Sequence, residues 1–392
     1  MARPDIPANG KAITADWMRL ALRAGGASDV PAIQEVAVED IGSDMGLMAE
    51  IVRCRLVWSE PTDAVPASVV VKLPSPAERS RRLSRLQALY KREYAYYRHV
   101  APQGAMRSPR LLYGDYEEKS DRFVLVLEDL GGMHTGDQLA GATAEEARSA
   151  VRAVARLHGR NWNAVGRPPL SGFHDVGSPK NRTVVQIIFL AYLVPTLEHF
   201  GSFFSDEMRA LVEAYGPRAA DHLADLRATP QTFVHGDYRL DNMFFGAGNG
   251  SDAAVVDWQV SGLGNGLYDV AYFMGGSVPT EVRREIERDL LAEYAEIVGG
   301  MGARDFTFDD CWRLYRQNML ACFLIMIIVC GGLDLDDARM RRLVETGMRR
   351  TLAAMEDLDA AEFLPAPRPV LSPSNLFSSL SRLAYRGYRA LR

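Results

Sequence analysis

Cysteine is scarce. Only Cys54, Cys311, Cys322 and Cys330 occur in 392 residues, and no two are spaced as C-x-x-C. With no histidine cluster beside them, neither a disulfide scaffold nor a zinc site is supported, and buried structural thiols are expected. Positive charge is scarce too: 45 Lys and Arg against 50 Asp and Glu leave a net charge of −5. No global basic field exists to hold a nucleic acid backbone, so nucleic acid is excluded as a partner. The longest apolar run, Met319 to Cys330, has twelve residues, short of the ~20 that a bilayer requires, and suits a buried helix. Met1 to Gly10 shows no apolar segment with a cleavage site, so the expected compartment is a reducing cytoplasm. No Walker A loop, zincin motif or G-x-S-x-G elbow is present. What remains is a chain of ordinary globular composition, 47% hydrophobic and 24% charged, long enough for two or three domains.

The first third alternates strand and helix patterns. Ile33 to Ile41 and Ala49 to Trp58 read as a hairpin around Gly42 and Gly46. Ser68 to Leu73 is a buried strand carrying Lys72, and Leu111 to Tyr116 and Arg122 to Glu128 are two more. Leu83, Leu86, Leu89, Tyr90, Tyr94 and Tyr97 recur at three- and four-residue spacing, which predicts one helix over Ala77 to Val100. After a polar connection from Asp129 to Gly136 the chain turns helical: Thr143 to Asn161, with a capping-box spacing to Glu146, then Thr183 to Phe204, Asp206 to Leu226, Thr280 to Val298, Phe308 to Cys330 and Asp336 to Leu358. Four prolines mark Pro365 to Pro373 as a linker before a last helix from Asn375. The expected division is residues 1–130, 131–364 and a tail of 365–392.

The most informative stretch is Phe233 to Phe245, FVHGDYRLDNMFF, a polar loop between apolar flanks. Asp237 and Asn242 stand five apart, and fifteen residues later the apolar AVVDW ends in Asp257 and Trp258. Phosphoryl transfer from ATP requires this set of groups. A carboxylate accepts the proton of the attacking hydroxyl, and an amide and a second carboxylate give oxygen ligands to Mg2+. A lysine at a strand end reaches the phosphates, and a glutamate on the next helix holds it. The bland alternative is a loop of self-capping Asn and Asp; the spacing and the flanking strands weigh against it. His235 is read as structural, bonded to loop backbone, and Gly262 to Gly266 as a flexible activation-type loop.

H-G-D-x-x-x-x-N followed by a strand and Asp resembles the aminoglycoside phosphotransferase and choline kinase relatives of the protein kinases, with the ecdysteroid kinase-like branch and its bacterial counterparts nearest. Val124 to Leu130, Val154 to Trp162 and Gly266 to Phe273 support it, and the likeness runs from about Gly42 to Met274. The resemblance implies an α+β, two-lobed kinase-like fold, with a small mixed β-sheet lobe and a larger helical one. It implies Asp237 as catalytic base, Asn242 and Asp257 as Mg2+ ligands, and Lys72 on the ATP phosphates with Glu93, in preference to Glu78, as its partner. It further implies Gly42, Ser43 and Gly46 as a phosphate cover, Val126 to Leu130, with Glu128 and Leu130, as the adenine-binding connection, and Asp269 as a brace for the catalytic loop. The glycine loop departs from the protein-kinase pattern by reading G-S-D-M-G, and Trp258 and Gln259 stand where Phe and Gly would follow the metal-binding Asp. Both departures point to a small-molecule kinase.

Thr183 to Phe204 holds one acid, Glu198, and Cys311 to Leu333 holds none. An aminoglycoside, a polycation, needs carboxylates around it, so the expected acceptor is a hydroxyl on an apolar body: a sterol, terpenoid or hydroxyacyl compound. The alternatives are a hydroxyacyl-CoA kinase, an aminoglycoside O-phosphotransferase and a catalytically silent nucleotide-binding module. Seven bases between Arg79 and Arg98 against Glu78 and Glu93 read as a solvated face, or as a handle for an anionic acceptor. In the tail, Leu376, Phe377, Leu380, Leu383, Ala384, Tyr388 and Leu391 share a helical face opposite Arg382, Arg386, Arg389 and Arg392. Such a helix docks on its own protein or on an anionic membrane surface, the first being preferred. Oligomeric state is left open.

Overall fold

A computed structural model describes residues 3–27, 30–42, 48–60, 65–246, 253–332 and 337–366. The chain divides into two units, Met1–His134 with Ala254–Ser261, and Thr135–Ala253 with Gly262–Arg392. The excursion of Ala254–Ser261 into the first unit matters chemically, because it carries Asp257. The predicted glycine cover at Ser43 and Gly46, and the tail helix from Asn375, lie outside the described residues.

The first unit is built on an antiparallel sheet of five strands in the order β1-β2-β3-β5-β4. They are β1 (Ile33–Asp40), β2 (Ala49–Trp58), β3 (Ser68–Pro74), β4 (Leu111–Glu117) and β5 (Arg122–Glu128). Alternation along the strands sorts the side chains by face. Val52, Cys54 and Leu56 of β2, Val69, Val71 and Leu73 of β3 and Val124 and Val126 of β5 pack with Met18, Ala21 and Leu22 of helix α1 (Ala15–Ala24) in one core. Lys72, between Val71 and Leu73, therefore points to the other face, in register with Ile51 and Leu125.

The single helix expected over Ala77 to Val100 is broken. Helix α2 (Glu78–Gln87) ends at Ala88, whose left-handed backbone (φ 54°, ψ 38°) starts α3 (Leu89–Ala95), and Tyr96–Val100 closes as a π turn. The break redirects the chain. α2 stays on the surface with Leu86 83% exposed, whereas Tyr90 and Glu93 of α3 are buried. Tyr90 stacks on Phe123 at 4.3 Å, and its hydroxyl donates to the Met48 carbonyl and accepts from the Ser75 N–H. Periodicity alone carries no sign of this turn, because both segments keep the same apolar spacing.

The second unit is helical: α4 (Ala144–Arg160), α5 (Pro179–Phe200), α6 (Asp206–Tyr215), α7 (Ala219–Arg227), α8 (Leu267–Gly276), α9 (Thr280–Gly300), α10 (Phe308–Gly332) and α11 (Ala338–Asp357). The capping box of α4 is formed, with Thr143 and Glu146 satisfying each other's backbone N–H groups. The predicted helix Asp206 to Leu226 is split instead by a 3-10 turn at Gly216–Arg218, where Pro217 offers no N–H. α10 is the axle of the unit, packed against α8, α5, α11 and α9. By length and composition α5 and α10 are apolar enough to cross a membrane, so the apolar stretch extends beyond the twelve-residue run; two thirds of α10's apolar window, at 67%, is buried as a core helix, against 39% for α5. Gly262 to Gly264, expected as part of a flexible loop, form a buried strand paired with Thr232–Val234. All four cysteines are free and buried.

Candidate active site

In the first unit Lys72 is 6% and Glu93 1% exposed. The lysine ammonium lies 2.8 Å from one Glu93 oxygen, donates across 2.9 Å to the other, and donates across 2.8 Å to Asp257 Oδ1. Glu78, the rival on the same stretch, pairs with Arg82 at the surface. Burial by itself would lower the lysine pKa; Asp257 and then Glu93 outweigh it and hold the ammonium charged well above the ordinary range. Burial pushes Glu93 up to about 6, against the pull of Lys72. One cation thus serves two carboxylates, leaving a net negative cluster.

Local chain geometry sets that cluster. Asp257 sits in the left-handed region (φ 65°, ψ 62°) and also accepts from Gln259 Nε2 at 3.1 Å. Trp258, fully buried, stacks on Tyr96 with ring centres 3.6 Å apart and planes 5° from parallel, and its backbone N–H reaches Glu93. α3, through Glu93, and the π turn that follows it, through Tyr96, therefore clamp the Asp257 segment. At Gly42 a Cβ would lie 3.1 Å from that of Ile51. Glu128 spends its backbone N–H on the Arg110 carbonyl and its carboxylate on Arg107. Leu130 is buried. Asp129 anchors the same segment through Arg53, Ser68 and the Gly131 N–H. Of the bases on α2 and α3, Arg81, Arg82, Arg85 and Lys91 already have partners within the unit.

In the second unit the loop from His235 to Asn242 is hung from Asp269 on α8. Asp269, with no exposure, accepts the His235 N–H at 2.7 Å and the Gly236 N–H at 2.9 Å. His158 of α4 stands between Asp269, at 3.2 Å, and the Tyr294 hydroxyl, at 2.9 Å. Gly266 is required beneath them, because a Cβ would come within 2.8 Å of both the His158 ring and the Tyr294 hydroxyl. His235 is structural, as expected: its Nδ1 accepts the Asp237 N–H at 3.2 Å, which assigns that nitrogen as unprotonated. Asp237 and Asn242 are brought together. The Asn242 amide nitrogen donates to the Asp237 carbonyl at 2.9 Å and to its carboxylate at 3.1 Å.

Three residues at this loop escape motif reading. Arg239 Nε lies 3.3 Å from the Asp237 carboxylate. Tyr268, stacked on Tyr272 with centres 5.8 Å apart, points its hydroxyl at the Gly236 carbonyl, and burial and then the Asp237 charge push the Tyr272 pKa up. The signal available in the sequence is the spacing of Tyr268, Asp269 and Tyr272, which places all three toward one side of a helix.

The sequence pattern of the phosphotransferase enzyme family, APH, matches residues 57–306. The chain belongs to that family. It has an α+β, two-lobed kinase-like fold. Two solved structures share the fold. A putative aminoglycoside phosphotransferase from Ralstonia eutropha JMP134 is 18% identical with a TM-score of 0.51, over 90% of this chain and 98% of that one. A choline kinase from Cryptosporidium parvum Iowa II is 12% identical with a TM-score of 0.52, over 89% and 98%. Among curated proteins, a probable acyl-CoA dehydrogenase, IBR3, of Arabidopsis thaliana is 30% identical over 125 residues, which is 32% of this chain and only 14% of that protein's length.

Proposed function

We propose that this phosphotransferase moves the γ-phosphoryl group of ATP, with Mg2+, to a hydroxyl on a largely apolar small molecule. The observation that carries the reading is the Lys72–Glu93–Asp257 cluster, in which one charged lysine is held between two carboxylates. Asp257 of the first unit and Asn242 of the second each carry hard oxygen, the donor type that Mg2+ takes. The net negative charge of the lysine cluster also favours a cation. Mg2+ supplies charge neutralisation on the transferring phosphoryl group. Lys72 holds phosphate oxygens, Asp237 orients the acceptor hydroxyl and takes its proton, and Asn242 fixes the Asp237 carboxylate. Positioning does most of the work.

The apolar acceptor is supported by α5, which leaves Val184 and Ile187 exposed, at 45% and 41%, and offers Glu198 as its one acid. A hydroxyacyl thioester is the second reading, favoured by the acyl-CoA dehydrogenase name of the Arabidopsis relative. The test is Mg-dependent ATP turnover over cholesterol, geraniol, 3-hydroxyoctanoyl-CoA, choline and kanamycin. We expect turnover with one of the first three and a loss of about 10²–10⁴-fold in Asp237→Asn. Turnover confined to kanamycin would reject the apolar acceptor, and full activity in Asp237→Asn would reject the assigned base.

A further inference from the structure

Helix α2 carries its polarity reversed. Its leucines are outside, with Leu83 41% and Leu86 83% exposed, whereas Ser84 between them is buried. A helix that packs on its own protein does the opposite, because burial favours leucine over serine. The break at Ala88 sets the arrangement, since it turns α3 into the core and leaves α2 on the surface. At 3.6 residues per turn Arg79, Arg82, Leu83 and Leu86 share the outward face. Arg81 and Arg85 lie to one side of it. Both donate to neutral carbonyls, those of Ser75, Pro76 and Lys119, which leaves their charges uncompensated. All four arginines of α2 are exposed and stand against one acid, Glu78, in a chain whose net charge is −5. Lys91, just beyond, is neutralised by Glu118.

We propose that α2 is a docking element for an anionic membrane surface, lying parallel to it with Leu83 and Leu86 among the acyl chains and the arginines on the lipid phosphates. Two exposed leucines are too few to hold a protein on lipid by themselves, and four arginines alone give only a loose, salt-sensitive attraction. Together they are the two signals that stable peripheral binding takes. The leucines decide between this occupant and blander ones. A merely solvated basic helix has no use for them, and neither has an electrostatic handle for a soluble anion. The charge decides the kind of lipid, because an excess of arginine on an otherwise acidic chain complements an anionic surface and no other. The proposal does not depend on which hydroxyl receives the phosphoryl group.

The experiment is sedimentation of the full chain with vesicles of phosphatidylcholine alone and with about 30% phosphatidylserine. Wild type should partition onto the mixed vesicles about tenfold or more better than onto phosphatidylcholine, and added salt should release it. Leu83→Ser with Leu86→Ser, and separately Arg79→Gln with Arg82→Gln, should each lower that partitioning by about tenfold or more, with Tm within about 2 °C of wild type because neither pair is buried. Leu86→Trp should still bind, and its added indole should be quenched by brominated acyl chains. Equal partitioning of wild type onto both kinds of vesicle, undiminished binding of the double serine variant, or an added indole that bromine leaves unquenched would each overturn the proposal. The second of these would put the membrane contact elsewhere, as on the tail from Asn375, which every variant retains.

Discussion

The lysine cluster of the first unit and the Asp269 cluster of the second both bury carboxylates, Glu93 at 1% and Asp269 at 0% exposure, yet they neutralise them differently. Glu93 faces a full positive charge that it shares with Asp257. Asp269 faces two backbone N–H groups and the His158 ring. The first arrangement is unbalanced by one negative charge and suits a place where a cation and phosphates come and go. The second is saturated by groups that do not leave, and suits a fixed anchor. A charge that is to be used is left partly uncompensated, and a charge that only holds a loop is hydrogen-bonded to completion.

The sharpest way to break this contrast is to remove the shared cation. Lys72→Met leaves two acids facing each other and should cost about 3–5 kcal/mol in urea unfolding at pH 8. The loss should be smaller at pH 5, because Glu93, already pushed up to about 6 by burial, then takes up a proton. Adding Glu93→Gln should recover much of it. A loss under about 1 kcal/mol at pH 8 would show that the cluster is not electrostatically tight.

A third buried group has neither kind of compensation for charge. His222 of α7 faces the Tyr215 hydroxyl and the Gln317 carbonyl, both at 3.1 Å, and burial lowers it to about 4. It is neutral in the folded chain, and the unfolded chain takes up the proton first. Its contribution is therefore complete above pH 6.5 and is lost as pH falls to 4, about 3 kcal/mol in all. His222→Gln should flatten the stability profile over that window. An unchanged profile would rule out a neutral buried imidazole.

Asp269→Asn should have the smallest effect, about 1–3 kcal/mol, since one acceptor oxygen survives while an amide N–H now meets a backbone N–H. Its loss should be the same in 0.05 M and 0.5 M salt, whereas an ion pair open to solvent would respond. A salt-dependent loss would mean that Asp269 is balanced by charge after all.

Much of this was legible beforehand. The spacing of Asp237, Asn242 and Asp257 and a lysine set within Val69–Leu73 are local patterns, and all five strands lie where alternation and turn residues put them. Glu93 was separable from Glu78 because it lies beside Tyr94 and Tyr97 on the apolar side of the pattern. The break at Ala88 was not legible, nor the division of Asp206 to Leu226, because a helical repeat continues across an interruption that preserves its phase. The paired strand at Gly262 to Gly264 was misread as a mobile loop because its glycines look permissive until a partner strand is present.

Composition and periodicity, which act between near neighbours, determined by themselves the strand and helix faces and which polar groups the loop from His235 to Asn242 and the strand before Asp257 would carry. Only the tertiary structure decided that Lys72 meets Asp257 across 185 residues, that Trp258 lies on Tyr96, and that Asp269 holds the His235 and Gly236 N–H groups. Those contacts depend on where whole elements pack. No local pattern encodes that, because burial and hydrogen bonding are satisfied by the folded set of neighbours and not by the order of residues along the chain.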